Sequence, residues 1–176
     1  MAAGWRIRRA LSSDLPAIVA IERACPEAPH WRDTSWLEAL LEDEGSQLTR
    51  RGFVAEDVAG ILGFVVTRCA AALAELETVA VSPSARRQGI GKALIQEAMD
   101  WSRGCGARSI ELEVRISSSG ARALYGLLGF AEQGRRRDYY QNPKEDAVLM
   151  GAGLQNEACL DLPGEAVLRS VGDAKV

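Results

Sequence analysis

Along the chain, apolar and polar positions alternate between two periods, one of about two residues and one of about 3.6. Trp5 to Ala10 alternates as a first strand. Ser12 or Ser13 then caps a helix in which Leu15, Ile18, Val19 and Glu22 follow helical spacing, with Pro16 in the first turn where its missing N–H costs nothing. Cys25 to Trp31, with Pro26 and Pro29, reads as a loop. Asp33 caps a second helix carrying Trp36, Leu37, Leu40 and Leu41 on one side, and Gly45 ends it. Three strands follow, over about Leu48–Glu56, Gly60–Cys69 and Leu73–Val81, the first two joined by a hairpin turn at Asp57-Val58-Ala59-Gly60. After Ser82-Pro83 the period changes. Gly89 to Trp101 is an amphipathic helix with Ile90, Ala93, Leu94, Ala98 and Trp101 on one side, stopped by Gly104-Cys105-Gly106. Arg108–Arg115 is a strand, Ser119–Leu128 a helix, Gly129-Phe130 a turn into the next strand, and Asp146–Met150 a last strand. From Gly151 onward the periodicity fades, so the pattern predicts one α/β (α+β) domain over 1–151 and a C-terminal tail over 152–176.

Composition narrows the chemistry more than the fold. A chain of 176 residues, 47% hydrophobic and 26% charged, buries one good core and hardly two. Uncharged stretches stop at about ten residues against the 18 to 20 that a membrane helix needs, and the first residues lack the apolar run of a secretory signal. No membrane partner is expected. The net charge of −3 argues against a global grip on nucleic acid. Four widely spaced cysteines without a Cys-x-x-Cys, and His30 as the only histidine, leave little room for a zinc site, a Cys-His dyad or a Ser-His-Asp triad. No metal is expected, and the compartment expected is the reducing cytoplasm.

The most specific local signal is Arg86-Arg87-Gln88-Gly89-Ile90-Gly91-Lys92, set between a strand and a helix. Glycines let a backbone approach a ligand, and a helix N-terminus offers unpaired N–H groups to an anion. The ligand implied is a phosphate or pyrophosphate. A Walker A loop fails because position 86 is Arg and position 93 is Ala; a dinucleotide fingerprint fails because position 94 is Leu. What remains is Arg-x-x-Gly-x-Gly, beside the plainer reading of a glycine turn with a solvated basic face.

The neighbours of the loop form an ordered set: Glu77-Thr78-Val79-Ala80-Val81-Ser82-Pro83 before it, then Leu112-Glu113-Val114-Arg115, Leu124-Tyr125-Gly126-Leu127-Leu128-Gly129-Phe130, Arg137-Asp138-Tyr139-Tyr140 and Glu145-Asp146-Ala147. Over about residues 5–151 this resembles the GNAT superfamily, and within it the ribosomal-protein alanine N-acetyltransferase (RimI-type) branch and related protein N-terminal acetyltransferases. The resemblance implies the acyl-CoA N-acyltransferase fold, a mixed central sheet with helices on both faces, splayed where acetyl-CoA binds. It implies that backbone groups of Val79, Ala80 and Val81 pair with the pantetheine arm, and that Arg87, Gln88, Gly89, Ile90, Gly91 and Lys92 wrap the pyrophosphate. Where the family usually has Asn shortly after the Val-Arg pair, this chain has Ser118, a shorter contact to the cofactor. The substrate loop, often Pro-Trp in the family, reads Ala28-Pro29-His30-Trp31, and Trp31 lines the peptide groove or anchors the loop.

Acetyl transfer to an amine needs a base for the ammonium and an acid for the departing thiolate. On its strand, Ile110, Leu112 and Val114 point to one face while Glu111, Glu113 and Arg115 point to the other, into a wet cleft or simply to solvent. The resemblance places Glu113 on the acid/base glutamate and Tyr125 on the general acid; a core tyrosine is the alternative for Tyr125. It also implies that Tyr139 or Tyr140, set between the last two strands, contacts the incoming peptide. Arg135-Arg136-Arg137 reads as a solvated charge run or a contact to an acidic partner. The expected function is acetylation of a protein N-terminus, the alanine of small-subunit ribosomal protein eighteen first. Another N-terminus, a lysine, a small amine, or a non-catalytic coenzyme-A-sensing role stand as alternatives.

Overall fold

A computed structural model describes residues 4–26 and 48–154. The helix expected from Asp33, the loop residues His30 and Trp31, and the tail from 155 onward lie outside the described residues.

Seven strands form one sheet in the order β1-β2-β3-β4-β5-β7-β6. They are β1 (Arg6–Arg9), β2 (Leu48–Asp57), β3 (Gly60–Ala70), β4 (Leu73–Val81), β5 (Ser109–Arg115), β6 (Ala131–Gln141) and β7 (Lys144–Gly153). Only β4 and β5 run parallel; every other pair is antiparallel. The parallel crossover needs a helix, supplied by α2 (Ile90–Gly104), while α1 (Leu15–Arg23) joins β1 to the segment before β2 and α3 (Ser119–Leu127) joins β5 to β6.

β2 and β3 are buried on both faces at their centres, and the sheet feeds two cores. Phe53, Val65, Leu76, Ile110, Leu112 and Val148 pack under α2 and α3, against Leu94, Ile95, Ala98, Met99 and Tyr125. Val54, Phe64, Val66 and Ala80 pack on the opposite face against Ile18, Ile21 and Cys25 of α1 and its end. The expected mixed sheet with helices on both faces is what forms.

The hairpin at Asp57–Gly60 is held as its sequence implies: the Asp57 carboxylate accepts the N–H groups of Ala59 (2.7 Å) and Gly60 (3.1 Å). Three details differ from the expected elements. Ser12–Asp14 form a short 3₁₀ turn, and α1 starts after Asp14. Asp14 rather than a serine organises this entry, because its carboxylate accepts the Leu11 N–H (2.8 Å) and both Nη groups of Arg8 (2.7 and 2.9 Å). That pairing holds the Asp14 carboxyl below its ordinary value, the Arg8 hydrogen bonds being the main cause. Tyr139 and Tyr140, expected between strands, lie within β6. Finally, β7 runs three residues beyond Met150 to Gly153, and Leu154 is still buried with its N–H on the Arg108 carbonyl (2.8 Å).

Candidate active site

The site begins where the two parallel strands separate. β4 and β5 pair only through Leu73–Ser109, Ala74–Ile110 and Glu75–Glu111; beyond Glu75 and Glu111 they diverge into a cleft of about 1150 Å³. A β-bulge helps to produce the divergence. Val66 faces Thr78 and Thr67 faces Leu76 across the β3–β4 ladder, so Glu77 is the extra residue. It also swaps the faces of β4. Ala74 and Leu76 point to the α2 side, whereas after the bulge Ala80 points to the α1 side and Val79 and Val81 take over the α2 side.

The outer edge of β4 is therefore a row of backbone groups with no partner strand. The Ser82 N–H donates to the Leu62 carbonyl (2.8 Å), which fixes the phase: Ala80 bonds toward β3, and Val79 and Val81 turn their N–H and C=O toward the cleft. Such an edge can take up an extended ligand arm bearing amide groups. Gly63 of β3 makes room behind it, since a Cβ there would lie 2.8 Å from the Ala80 carbonyl oxygen.

At one end of the cleft the chain turns into α2 through two left-handed positions, Arg87 (φ 67°) and Gly89 (φ 81°). Among the described residues no side chain caps α2, and no acidic residue occupies its first turn, so its N–H groups and positive dipole end are open to an anion. Gly89, Ile90, Gly91, Arg87 and Lys92 line the cleft; Gln88, on the same loop, is exposed away from its wall. Arg86 folds back instead, with Nε 3.3 Å from the Val81 carbonyl and Nη2 3.4 Å from the Cys25 sulfur. Ser118, at the start of α3, reaches the wall as expected and caps nothing with its side chain, which leaves its hydroxyl available.

At the other end stand the ionisable groups. Glu113 is half-buried on the β5 arm and Tyr125 is buried on α3; both line the cleft, with Tyr139 and Tyr140 of β6. Burial, with Tyr140 nearby, pushes the Tyr125 phenol above its ordinary value of 10.0. Tyr140 is pushed up to about 12, first by burial and then by the charge of Glu113, against the opposing Arg115 guanidinium 4.0 Å over its ring. Glu113 beside it, with partial burial, raises the Tyr139 phenol too.

Three features of the site were not evident in sequence. Arg136, read as part of a solvated run, places Nη1 2.9 Å from Glu113 Oε1. It does so because β7 inserts between β5 and β6 and because β6 carries two extra residues between its pairings Arg136–Ala147 and Tyr140–Glu145. Cys25, read as a small core residue, is buried but also forms part of the cleft wall. Thr78, on the β4 arm, carries a buried hydroxyl without a hydrogen-bond partner. An orphan hydroxyl beside a ligand cleft costs stability until something fills it.

An anion cradle, an open strand edge, a half-buried carboxylate and a buried phenol all line one cleft in the split sheet. The acetyltransferase (GNAT) family model matches residues 9–130. The chain belongs to that family. Its sequence is 35% identical to the ribosomal protein bS18-alanine N-acetyltransferase of Escherichia coli over 142 residues, 79% of this chain and 90% of that one. It is also 35% identical over 165 residues to an N-alpha-acetyltransferase of Sulfurisphaera tokodaii, spanning 85% of this chain and 93% of the relative. The crystal structure of the ribosomal-protein-S18-alanine N-acetyltransferase from Escherichia coli matches with a TM-score of 0.72 and 30% identity, over 92% of this chain and 97% of that chain. The branch resemblance carried by the motifs is thus borne out by whole-chain similarity, and this acetyltransferase has the fold that the resemblance implied.

Proposed function

We propose that this GNAT acetyltransferase moves the acetyl group of acetyl-CoA to the N-terminal amine of a protein in the cytoplasm. The N-terminal alanine of small-subunit ribosomal protein eighteen is the first substrate to test. The observation that carries the reading is the convergence of Glu113 and Tyr125 on a cleft whose far end is an open anion cradle. The peptide end of the reading rests on the relatives of the same branch.

The residues fit acetyl-CoA. The loop Arg87–Gly91 with Lys92 holds the pyrophosphate, the Val79 and Val81 backbone takes the pantetheine amides, Ala80 fixes their phase from the β3 side, and Ser118 adds a hydroxyl. Acetyl-CoA supplies the acyl group as a thioester, so a C–N bond forms as a C–S bond breaks. An N-terminal amine, with a reference value near 8, is mostly ammonium at pH 7 and must lose a proton before it attacks. Glu113 receives that proton, directly or through a water. Tyr125 hands its phenolic proton to the departing thiolate, and the nitrogen, cationic after attack, gives up a second proton through solvent that restores Tyr125; with the proton first taken by Glu113 passed to solvent, each turnover releases one proton net. Tyr139, at the rim, holds the peptide backbone; Trp31, which lies outside the described residues, is the second proposed contact to the peptide.

Mass spectrometry of a peptide panel incubated with the protein and acetyl-CoA tests this. The panel holds Ala-, Ser- and Met-starting peptides, the same peptides with blocked N-termini, and peptides with internal lysines. One added acetyl on a free N-terminal alanine, absent when that terminus is blocked, is the expected result. Transfer to lysine or to small amines only, or acetyl-CoA binding with no transfer, would refute the peptide reading. Glu113→Gln should slow turnover while acetyl-CoA still binds; wild-type kinetics would remove Glu113 from the mechanism.

A further inference from the structure

The proposed base already has a cationic partner. Arg136 Nη1 lies 2.9 Å from Glu113 Oε1. A carboxylate engaged in this way is not free to receive an ammonium or the water beside it. The two arginines near Glu113 differ in how firmly they are held. Arg115, on the same strand, is fixed by Glu145 (3.3 Å), by the Asn142 carbonyl (3.2 Å) and by the Tyr140 ring (4.0 Å), with its side chain 15% exposed. Arg136 has a side chain 56% exposed, and its described partners are Glu113 and the Tyr139 ring at 5.5 Å. It sits at the last paired position before the β6 bulge, on the edge strand of the sheet. It can therefore swing outward while its neighbours stay fixed.

We propose that Arg136 is a displaceable latch on Glu113, which an incoming primary ammonium must replace before the carboxylate can act. The exchange swaps one cation for another, so the site keeps its charge balance and favours a positively charged terminus over a blocked or acidic one. This rests on the reading of Glu113 as the proton acceptor. In the empty enzyme the latch competes with substrate, and its cost appears in peptide binding. Arg136 is thus a positioning residue for Glu113.

The test is a double-mutant cycle on the full chain with a peptide that the wild type acetylates. Arg136→Gln should lower the peptide KM about two- to fivefold, the range expected for a partly exposed ion pair. The gain should sit in KM rather than kcat. Arg136→Lys, which keeps the charge, should restore most of the wild-type KM, and on a Glu113→Gln background Arg136→Gln should change KM by less than about 1.5-fold. Calorimetric titration of the same peptide with a non-transferable acetyl-CoA analogue bound reads the exchange without turnover and should show the same gain. An unchanged or raised KM for Arg136→Gln, or a gain that persists without Glu113, would overturn the latch. A wild type that acetylates no peptide would instead overturn the substrate reading; titration of alaninamide into wild type and Arg136→Gln then decides the latch by the same two- to fivefold criterion.

Discussion

Tyr125→Phe removes one oxygen from the site and almost nothing from the core. The ring packs against Phe130 with centroids 5.7 Å apart, and that contact survives the change. Folding stability should therefore stay within about 1 kcal/mol of wild type. The effect on turnover follows from the proton affinities. A departing thiolate has a reference value near 8.5, and burial has moved the phenol above 10.0. Full proton transfer is then uphill even once the C–S bond is broken, so what Tyr125 supplies in the transition state is a hydrogen bond to a developing anion, the proton passing over only as the phenol is resupplied from solvent. A hydrogen bond to a charged group is worth about 1.5–3 kcal/mol, or roughly 10- to 150-fold in rate. The variant should lose that factor in kcat with the peptide KM little altered. Steady-state kinetics at saturating acetyl-CoA measure the loss. An acetyl thioester with a more acidic thiol should narrow it, because a better leaving group needs less help. The working form of Tyr125 is the protonated one, and a raised phenol keeps it to higher pH, so wild-type kcat should show no loss from this group below pH 10.0. A pure KM effect, or a deficit that ignores the leaving group, would make Tyr125 a binding or packing residue and refute the acid assignment.

Three further outcomes are expected. Above pH 10 the unfolded chain ionises its phenols while Tyr125 and Tyr140 stay protonated in the fold, Tyr140 to about 12. The unfolded state then binds fewer protons, so stability falls through that window; urea denaturation at stepped pH should show the fall, and Tyr140→Phe should flatten it. At the acid end the sign reverses: the Asp14 carboxyl is lowered by Arg8 below its ordinary 3.8, so its contribution holds above that value and is lost as pH drops through the folded one. Asp14→Ala should cost about 1–3 kcal/mol at pH 7 and remove this part of the acid sensitivity, read in the same denaturation series. Gly63→Ala forces a Cβ to within 2.8 Å of the Ala80 carbonyl oxygen and 3.3 Å of Leu94 Cδ1, so β4 must shift. It should destabilise the fold by about 1–3 kcal/mol and weaken acetyl-CoA binding by calorimetry; wild-type values for both would show that the β4 edge tolerates movement.

How much of this was legible in the sequence depended on whether the signal was local. The hairpin at Asp57–Gly60 and the left-handed turn at Gly89 are dictated by residues within a few positions, and both are found where the composition puts them. Even there the non-glycine Arg87 also takes a left-handed conformation (φ 67°), which no local rule would assign to an arginine two residues ahead of a glycine. The α1 entry shows the limit more sharply. Ser12, Ser13 and Asp14 are all good capping types, and the choice among them fell to the side chain of Arg8, six residues back on β1. In β6 the alternation itself is missing. Strand period is visible only when one face is buried, and nearly every residue of Ala131–Gln141 is exposed at the sheet edge. A two-residue bulge then breaks whatever phase remains. That is why the tyrosine pair read as a connection between strands and Arg136 as part of a solvated run. The contact between Arg136 and Glu113 depends on β7 lying between β5 and β6, a matter of strand order rather than of any residue pattern. The face that Glu113 takes was therefore readable from the alternation of its own strand, but the cation that holds it became visible only once the sheet was assembled.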